Sequence, residues 1–321
     1  MKNLIPITLI LSIFMLVLPL LALKEEEVEQ KPVAENNTVY TASKINTDKF
    51  RVFMPESKEI KEMSAEDYIL CVVAAEMPAL YETEALKAQA VAAYSFACRR
   101  RAESKNKDYD ITADHTVDQS FISEAQLQDK WGDKAEDYIG KIRSAVKAVS
   151  GQAVTYKGDI ALTLYHAISC GVTESSADIW GGEYPYLVSV DSNWDKLADN
   201  YLSKVTVSTE DFKEKLGSNI SFEGKEDSWI KITEITKNGS VKKLLISGKE
   251  FTGEEIRKLF DLRSLNFTVE FKDGSFEFSV KGYGHGVGMS QNGANYMAKQ
   301  GSNYKEILEY YYKGCTVNDL Q

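Results

Sequence analysis

The stretch that most constrains the fold is SAEDYILCVVAAEMPALYETEALKAQAVAAYSFA, beginning at Ser64. Ile69, Val72 and Val73 recur at i, i+3 and i+4, the spacing of one buried helical face. Ser64 with Asp67 three residues on is an N-capping pattern, so a helix is predicted from Ala65. Pro78 disfavours helical geometry at Met77 and ends it. Thr83 is placed to cap a second helix, at about 84–101. Ala85, Ala88, Ala90, Ala92, Ala93 and Ala97 leave that helix a thin surface, so another element can approach its backbone closely. Arg99, Arg100 and Arg101 complement the negative end of its dipole. One position breaks the pattern: i+7 from Ile69 ought to be apolar, and it is Glu76.

The rest of the chain places this helix pair in an α+β protein. A short strand starts near Phe50, and a third helix is predicted over about 123–149. From residue 151 the pattern turns to strands, GQAVTY and then IALTLYHAIS. Asn238–Gly239 and Asp273–Gly274 each stand between two strand-like runs, which is a hairpin signature. Thr252 with Glu255 caps a helix near 253–261, and helices at about 290–300 and 303–313 close the chain. Helices first and antiparallel hairpins later read as α+β. Residues at about 200–270 read as an inserted subdomain of a domain spanning 49–321.

Residues 4–23, LIPITLILSIFMLVLPLLAL, carry no charge. At about 1.5 Å per residue they span roughly 30 Å, the thickness of a bilayer core. The run is long for a cleavable signal peptide and ends in a poor cleavage site. The expectation is an uncleaved transmembrane anchor over 1–23 and a polar linker over 24–48. Lys2 then stays in the cytoplasm and the remainder is extracytoplasmic. The net charge of −10 argues against nucleic acid, because phosphate binding needs clustered Lys and Arg. Cys71, Cys98, Cys170 and Cys315 show no C-x-x-C pairing and no zinc-ribbon spacing. Buried thiols are the plainer reading of Cys71 and Cys98.

Two readings of Glu76 are open on the pattern alone. It forms a structural ion pair, with Lys87 or an arginine, or it is a functional carboxyl. Burial and the C-terminal end of a helix both disfavour the ionised form, and a carboxyl held near neutrality serves as a general acid. Protonating a glycosidic oxygen is a familiar use of such a group, but ordinary glycosidases need a second carboxylate. No obvious one lies near Glu76 in the sequence. A sugar that supplies its own nucleophile removes the requirement: muramic acid closes its 6-hydroxyl onto C1. Three further stretches carry chemical residues. GYGHGVGMSQNGA packs glycines around His285, with Ser290 and Gln291; glycine allows unusual backbone angles and the close approach of a ligand. LYHAISCGVTESSADIWGGEYPYLVSVDSNWD holds His166, Ser169, Tyr186 and Asp195. ITADHTVDQSF holds His115 and Gln119. All three histidines of the chain lie in these stretches, yet no H-E-x-x-H or other close ligand pair is present.

With VVAAEMPALYETEALKAQAVAAYSFA, YHAISCGVTESSADIWGGEYPYLVSVDSNWD, FTGEEIRKLFDLRSLNF and GYGHGVGMSQNGANYMAKQGSNYKEILEYYYKG in this order, the chain resembles the stage II sporulation protein D family. Its members are membrane-anchored lytic transglycosylases of endospore formers. The resemblance covers most of residues 50–315. It implies Glu76 as catalytic acid/base and an anhydro-muramic product, in septal wall degradation and engulfment. It implies peptidoglycan glycan strands as substrate, after a partner amidase, stage II sporulation protein P, has removed stem peptides. A third protein, stage II sporulation protein M, would recruit both. Motif position marks Gln89, Gln119, Ser169, Tyr186, Asp195, His285, Ser290 and Gln291 as substrate-binding. Some clostridial relatives carry a His2Cys2 zinc site in the loop after the second helix. Here DYDITADHTVDQSF keeps only His115, so no zinc and no other cofactor is expected. Cys170 stands where many relatives have glycine, and it receives no role. Two other readings stay open: a non-catalytic wall-binding module that stimulates a partner amidase, and a zinc hydrolase built on the histidines.

Overall fold

The computed structural model describes residues 48–104 and 108–320. They form a mixed domain of helices and mainly antiparallel strands, which is α+β.

The first helix, Ala65–Glu76, starts where the sequence places it: the Ser64 hydroxyl accepts from the Asp67 amide. It ends at Met77, whose backbone is extended (φ −121°, ψ 144°) ahead of Pro78. The second helix, Thr83–Glu103, runs longer than predicted, and Thr83 is its first residue rather than its cap. Its seven alanines are all buried. Neighbours close on that thin surface from several sides: the first helix, Ala135–Ala148, Gln291–Lys299, Tyr304–Tyr311 and the strand Gln152–Tyr156. Small side chains thus make this helix the axis of the larger core, which gathers Phe50, Tyr68, Val72, Val91, Ile142, Met289 and Tyr312 around it.

The predicted third helix is two helices, Glu124–Trp131 and Ala135–Ala148, joined by a single 3-10 turn. Gly132 at φ +53° breaks it, a conformation that interrupts an α-helix and suits glycine. Lys49–Met54 pairs antiparallel with Glu59–Ser64 and parallel with Ile111–Thr112. Gln152–Tyr156 is the centre of another three-stranded sheet, between Thr316–Asp319 and Asp159–Ile160. The long strand expected from IALTLYHAIS is reduced to Asp159–Ile160 and Tyr165–His166, the latter pairing parallel with Met289–Ser290.

A second core, with Phe212, Trp229, Leu244, Ile256, Phe260, Phe276 and Phe278, draws on the helices Thr209–Leu216 and Gly253–Leu259 and on two three-stranded sheets. One is ordered Phe267–Lys272, Ser275–Lys281, Leu202–Ser208. The other is ordered Lys249–Thr252, Val241–Ile246, Ile230–Ile235. Asp273 (φ +49°) and Gly274 (φ +78°) form the two-residue turn of the first hairpin, closed by Lys272 opposite Ser275. The predicted box at Thr252 and Glu255 caps Gly253–Leu259 in both directions.

The expected transmembrane anchor is withdrawn. Among the described residues no helix is long and apolar enough to cross a membrane. The longest described helix, at 21 residues, is Thr83–Glu103, and it carries three arginines. The apolar run 4–23, on which the expectation rested, lies outside the described residues, as does most of the linker. Membrane attachment, single-pass topology, an extracytoplasmic location and recruitment by a membrane partner therefore have no structural footing here, and none enters the functional reading.

Candidate functional site

Glu76 is the last residue of the first helix and is partly exposed. Its carboxylate meets two segments distant in sequence. Oε1 accepts from the Ser120 amide at 3.1 Å, and Oε2 accepts from Gln291 Nε2 at 3.3 Å. The ion-pair reading does not hold. Lys87 pairs with Glu84 at 2.7 Å, Arg99 with Glu103 at 2.7 Å, and Arg100 with Asp118 at 2.5 Å. Among the described residues no cation pairs with Glu76, and both of its hydrogen-bond donors are neutral.

Four more polar side chains belong to this arrangement. Gln89, on the alanine-rich helix and fully buried, accepts from Gln291 Nε2 at 3.4 Å. Its own Nε2 is buried with no hydrogen-bond partner among the described residues. Gln119, 2% exposed, is fully engaged. Its Oε1 accepts from the Tyr68 hydroxyl at 3.1 Å, and its Nε2 donates to the Tyr165 oxygen at 2.8 Å and to the Ala93 carbonyl at 3.4 Å. Burial, then the charge of Glu76, holds the Tyr165 phenol well above its usual range. Burial, then Asp118 and Glu76, does the same for Tyr68. The structure thus brings Glu76, Gln89, Gln119 and Gln291 together. It adds Tyr165 and the Ser120 amide, which sequence reasoning missed; the strand alternation at Tyr165–His166 was the available signal.

Ser169, Asp195 and Ser290 gather in a separate, buried knot. Asp195 is fully buried and accepts five hydrogen bonds. Oδ2 takes the Ser169 amide (3.0 Å), the Ser169 hydroxyl (2.6 Å) and the Ser192 hydroxyl (3.0 Å). Oδ1 takes the Ser290 hydroxyl (2.9 Å) and Asn292 Nδ2 (3.0 Å). Ser290 also caps Gln291–Lys299, and Ser169 also accepts the Gly171 amide. These groups spend their hydrogen bonds joining the 164–195 and 282–294 stretches. Asp195 thereby fixes the start of the helix whose first residue, Gln291, reaches Glu76. Tyr186, 5% exposed, is a core residue: its hydroxyl accepts from the Leu162 amide at 2.8 Å, and its ring lies against Tyr156 and Tyr184.

The glycines around His285 serve the chain itself. A Cβ on Gly288 (φ +76°) would sit 2.0 Å from the Leu164 carbonyl oxygen, and one on Gly282 2.7 Å from that of Ile168. The loop lies directly on the backbone of 164–174, too close for side chains. His285 accepts from the Val287 amide through Nδ1 at 3.1 Å and lies 5.8 Å, ring to ring, from His166. Burial, with His166 adding to it, pulls the His285 pKa down to about 3; burial pulls His166 down to about 4. Both rings are neutral at physiological pH. His115 is exposed on its loop. Among the described residues no group of three or more His, Cys, Asp or Glu is placed to hold a metal ion. The four thiols are unpaired, and burial raises Cys71, Cys98 and Cys315 to about 12.

The sequence profile of the family described as "Stage II sporulation protein" matches residues 55–156, which include Glu76, Gln89, Gln119 and Ser120. The chain is 33% identical over 314 residues to the stage II sporulation protein D of Bacillus amyloliquefaciens, across 95% of this chain and 90% of that one. It is 33% identical over 295 residues to the protein of the same name in Bacillus subtilis, across 91% and 84%. It is also 28% identical over 297 residues to the amidase enhancer of Bacillus subtilis, across 77% of this chain and 39% of the other. Identity at this level along nearly the whole of both sporulation proteins shows the family: the chain belongs to the stage II sporulation protein D family.

Proposed function

We propose that the chain is a peptidoglycan lytic transglycosylase that acts through Glu76 in wall remodelling during sporulation. The observation that carries this reading is a partly exposed carboxylate held only by neutral donors, the Ser120 amide and Gln291. Three other carboxylates of the domain are engaged elsewhere. Glu84 takes Lys87 and the Tyr304 amide, Asp118 takes Arg100 and the Thr112 amide, and Asp195 is saturated within its knot. One carboxyl suffices where the sugar brings its own nucleophile. Glu76 gives its proton to the glycosidic oxygen as the C1–O bond of the muramic residue breaks, and N-acetylglucosamine leaves as an alcohol. The 6-hydroxyl of the same muramic residue then bonds to C1 and returns its proton to Glu76. No water is consumed, and the product is a 1,6-anhydro end.

The likeness to an amidase enhancer favours a second reading, a wall-binding module that stimulates a partner amidase. Mass analysis of products from glycan strands separates the two. Under the first reading the wild-type chain yields fragments with anhydro ends, and Glu76→Gln yields none. Binding without cleavage by both proteins would replace it with the second.

A further inference from the structure

We propose that the Tyr165 hydroxyl is a substrate contact of this site, donating a hydrogen bond to the sugar that lies against Glu76; this rests on the reading that the site takes a glycan.

The inference follows from where the hydroxyl hydrogen of Tyr165 is free to point. A phenol has one hydrogen to give and lone pairs to receive. The amide of Gln119 settles which of these faces inward. Its Nε2 must face the Ala93 carbonyl, and its Oε1 takes the hydrogen of Tyr68. Nε2 therefore donates to the Tyr165 oxygen, at 2.8 Å. Tyr165 receives from the interior, and among the described residues no acceptor takes its own hydrogen. With no acceptor from the chain, this hydrogen is left for a ligand oxygen to take.

The direction is set by the strand. In Tyr165–His166 successive side chains point to opposite faces. His166 is buried against Val287 and Gly284. Tyr165, which is partly exposed, takes the other face, close enough to Glu76 to feel its charge. That charge and burial both keep the phenol protonated, so it is a donor at every working pH. Tyr68 is the contrasting case: fully buried, it gives its hydrogen to Gln119 and only supports the chain of bonds. Hydroxyl, ether and acetamido oxygens of an N-acetylhexosamine are the acceptors such a donor matches.

The test compares Tyr165→Phe with Tyr68→Phe in the full-length chain, since each removes one hydroxyl from the same Gln119 network. Binding of a chitin tetrasaccharide is titrated in a Glu76→Gln background by calorimetry, cleavage of glycan strands is measured without it, and thermal midpoints are taken throughout. Tyr165→Phe is expected to weaken the probe about three- to tenfold and to lower kcat/KM by ~10-fold or more. Tyr68→Phe is expected to lower the thermal midpoint with probe affinity held within about twofold. Equal losses of binding from both variants, tracking their midpoints, would make Tyr165 a structural residue and overturn the assignment. Wild-type cleavage with undiminished binding and rate in Tyr165→Phe would overturn it alone. Neither cleavage nor probe binding by the parent proteins would overturn the glycan reading and the contact with it.

Discussion

Gln291 donates to Glu76 from 215 positions away in the sequence, at 3.3 Å, and the same Nε2 lies 3.4 Å from Gln89 Oε1. A single amide thus ties the C-terminal end of the first helix to the alanine-rich helix and to the start of Gln291–Lys299. The carboxylate is oriented by a group whose own position depends on the Asp195 knot one residue earlier. Gln291→Leu keeps much of the volume and removes the bond. It is expected to cut cleavage of glycan strands by about ten- to a hundredfold, with a small change in thermal midpoint. A cleavage assay beside a melting curve checks this; a loss of activity explained wholly by unfolding would contradict it.

The Asp195 knot is a stability device. Asp195→Ala leaves the buried Ser169, Ser192 and Ser290 hydroxyls and the partly exposed Asn292 amide without their acceptor. Each orphaned group costs about 1–3 kcal/mol, less what entering water recovers. The expected loss is about 3 kcal/mol or more, read from urea denaturation. Asp195→Asn, of the same shape but with one oxygen replaced by a donor, is expected to fall between wild type and alanine.

Gly288→Ala tests the close packing of the glycine loop. The new Cβ would meet the Leu164 carbonyl oxygen at 2.0 Å, at a φ of +76°. Strain and clash act together, and a loss of more than about 2 kcal/mol is expected from chemical denaturation. Gly301→Ala, at φ +97° with open space around its Cβ, is the control and should cost less.

His166, which is buried, and His285, which is partly exposed, make stability fall in mild acid. Both pKa values are depressed in the folded chain, His166 to about 4 and His285 to about 3, from an ordinary 6.5. Below about pH 6.5 the unfolded chain binds protons that the folded chain refuses, so unfolding gains ground as pH drops toward 4. Their contribution is complete above about pH 6.5 and is lost progressively below it. His166→Phe is expected to flatten the dependence of the thermal midpoint between pH 6.5 and 4; an unchanged slope would show that His166 does not carry it.

Local signals were read correctly where the physics is local. Ser64, the Thr252–Glu255 box and the Asp273–Gly274 turn act within four residues, and the structure places them as the sequence implies. Glu76 stood out because a carboxylate interrupts an apolar stripe. Signals that depend on distant partners were less legible. Motif position marked Ser169, Ser290 and Asp195 as substrate-binding, and only the fold shows that Asp195 accepts from both serines. Motif position marked Tyr186 as substrate-binding too, and the fold buries it. The glycines around His285 suggested ligand approach, and the neighbour that needs the room is the chain's own backbone. Tyr165 went unnoticed because its meaning lies in Gln119, 46 positions away. Gly132 split a helix whose flanking pattern was helical on both sides.

The account's central claim is that one carboxyl, Glu76, cleaves the glycan without water. The most direct test is digestion of glycan strands in ¹⁸O-labelled water, followed by mass analysis of the muramic ends. The account predicts ends lacking one water and carrying no label, and their absence with Glu76→Gln. Reducing muramic ends that carry the label would mean hydrolysis, and the single-carboxylate mechanism would be wrong.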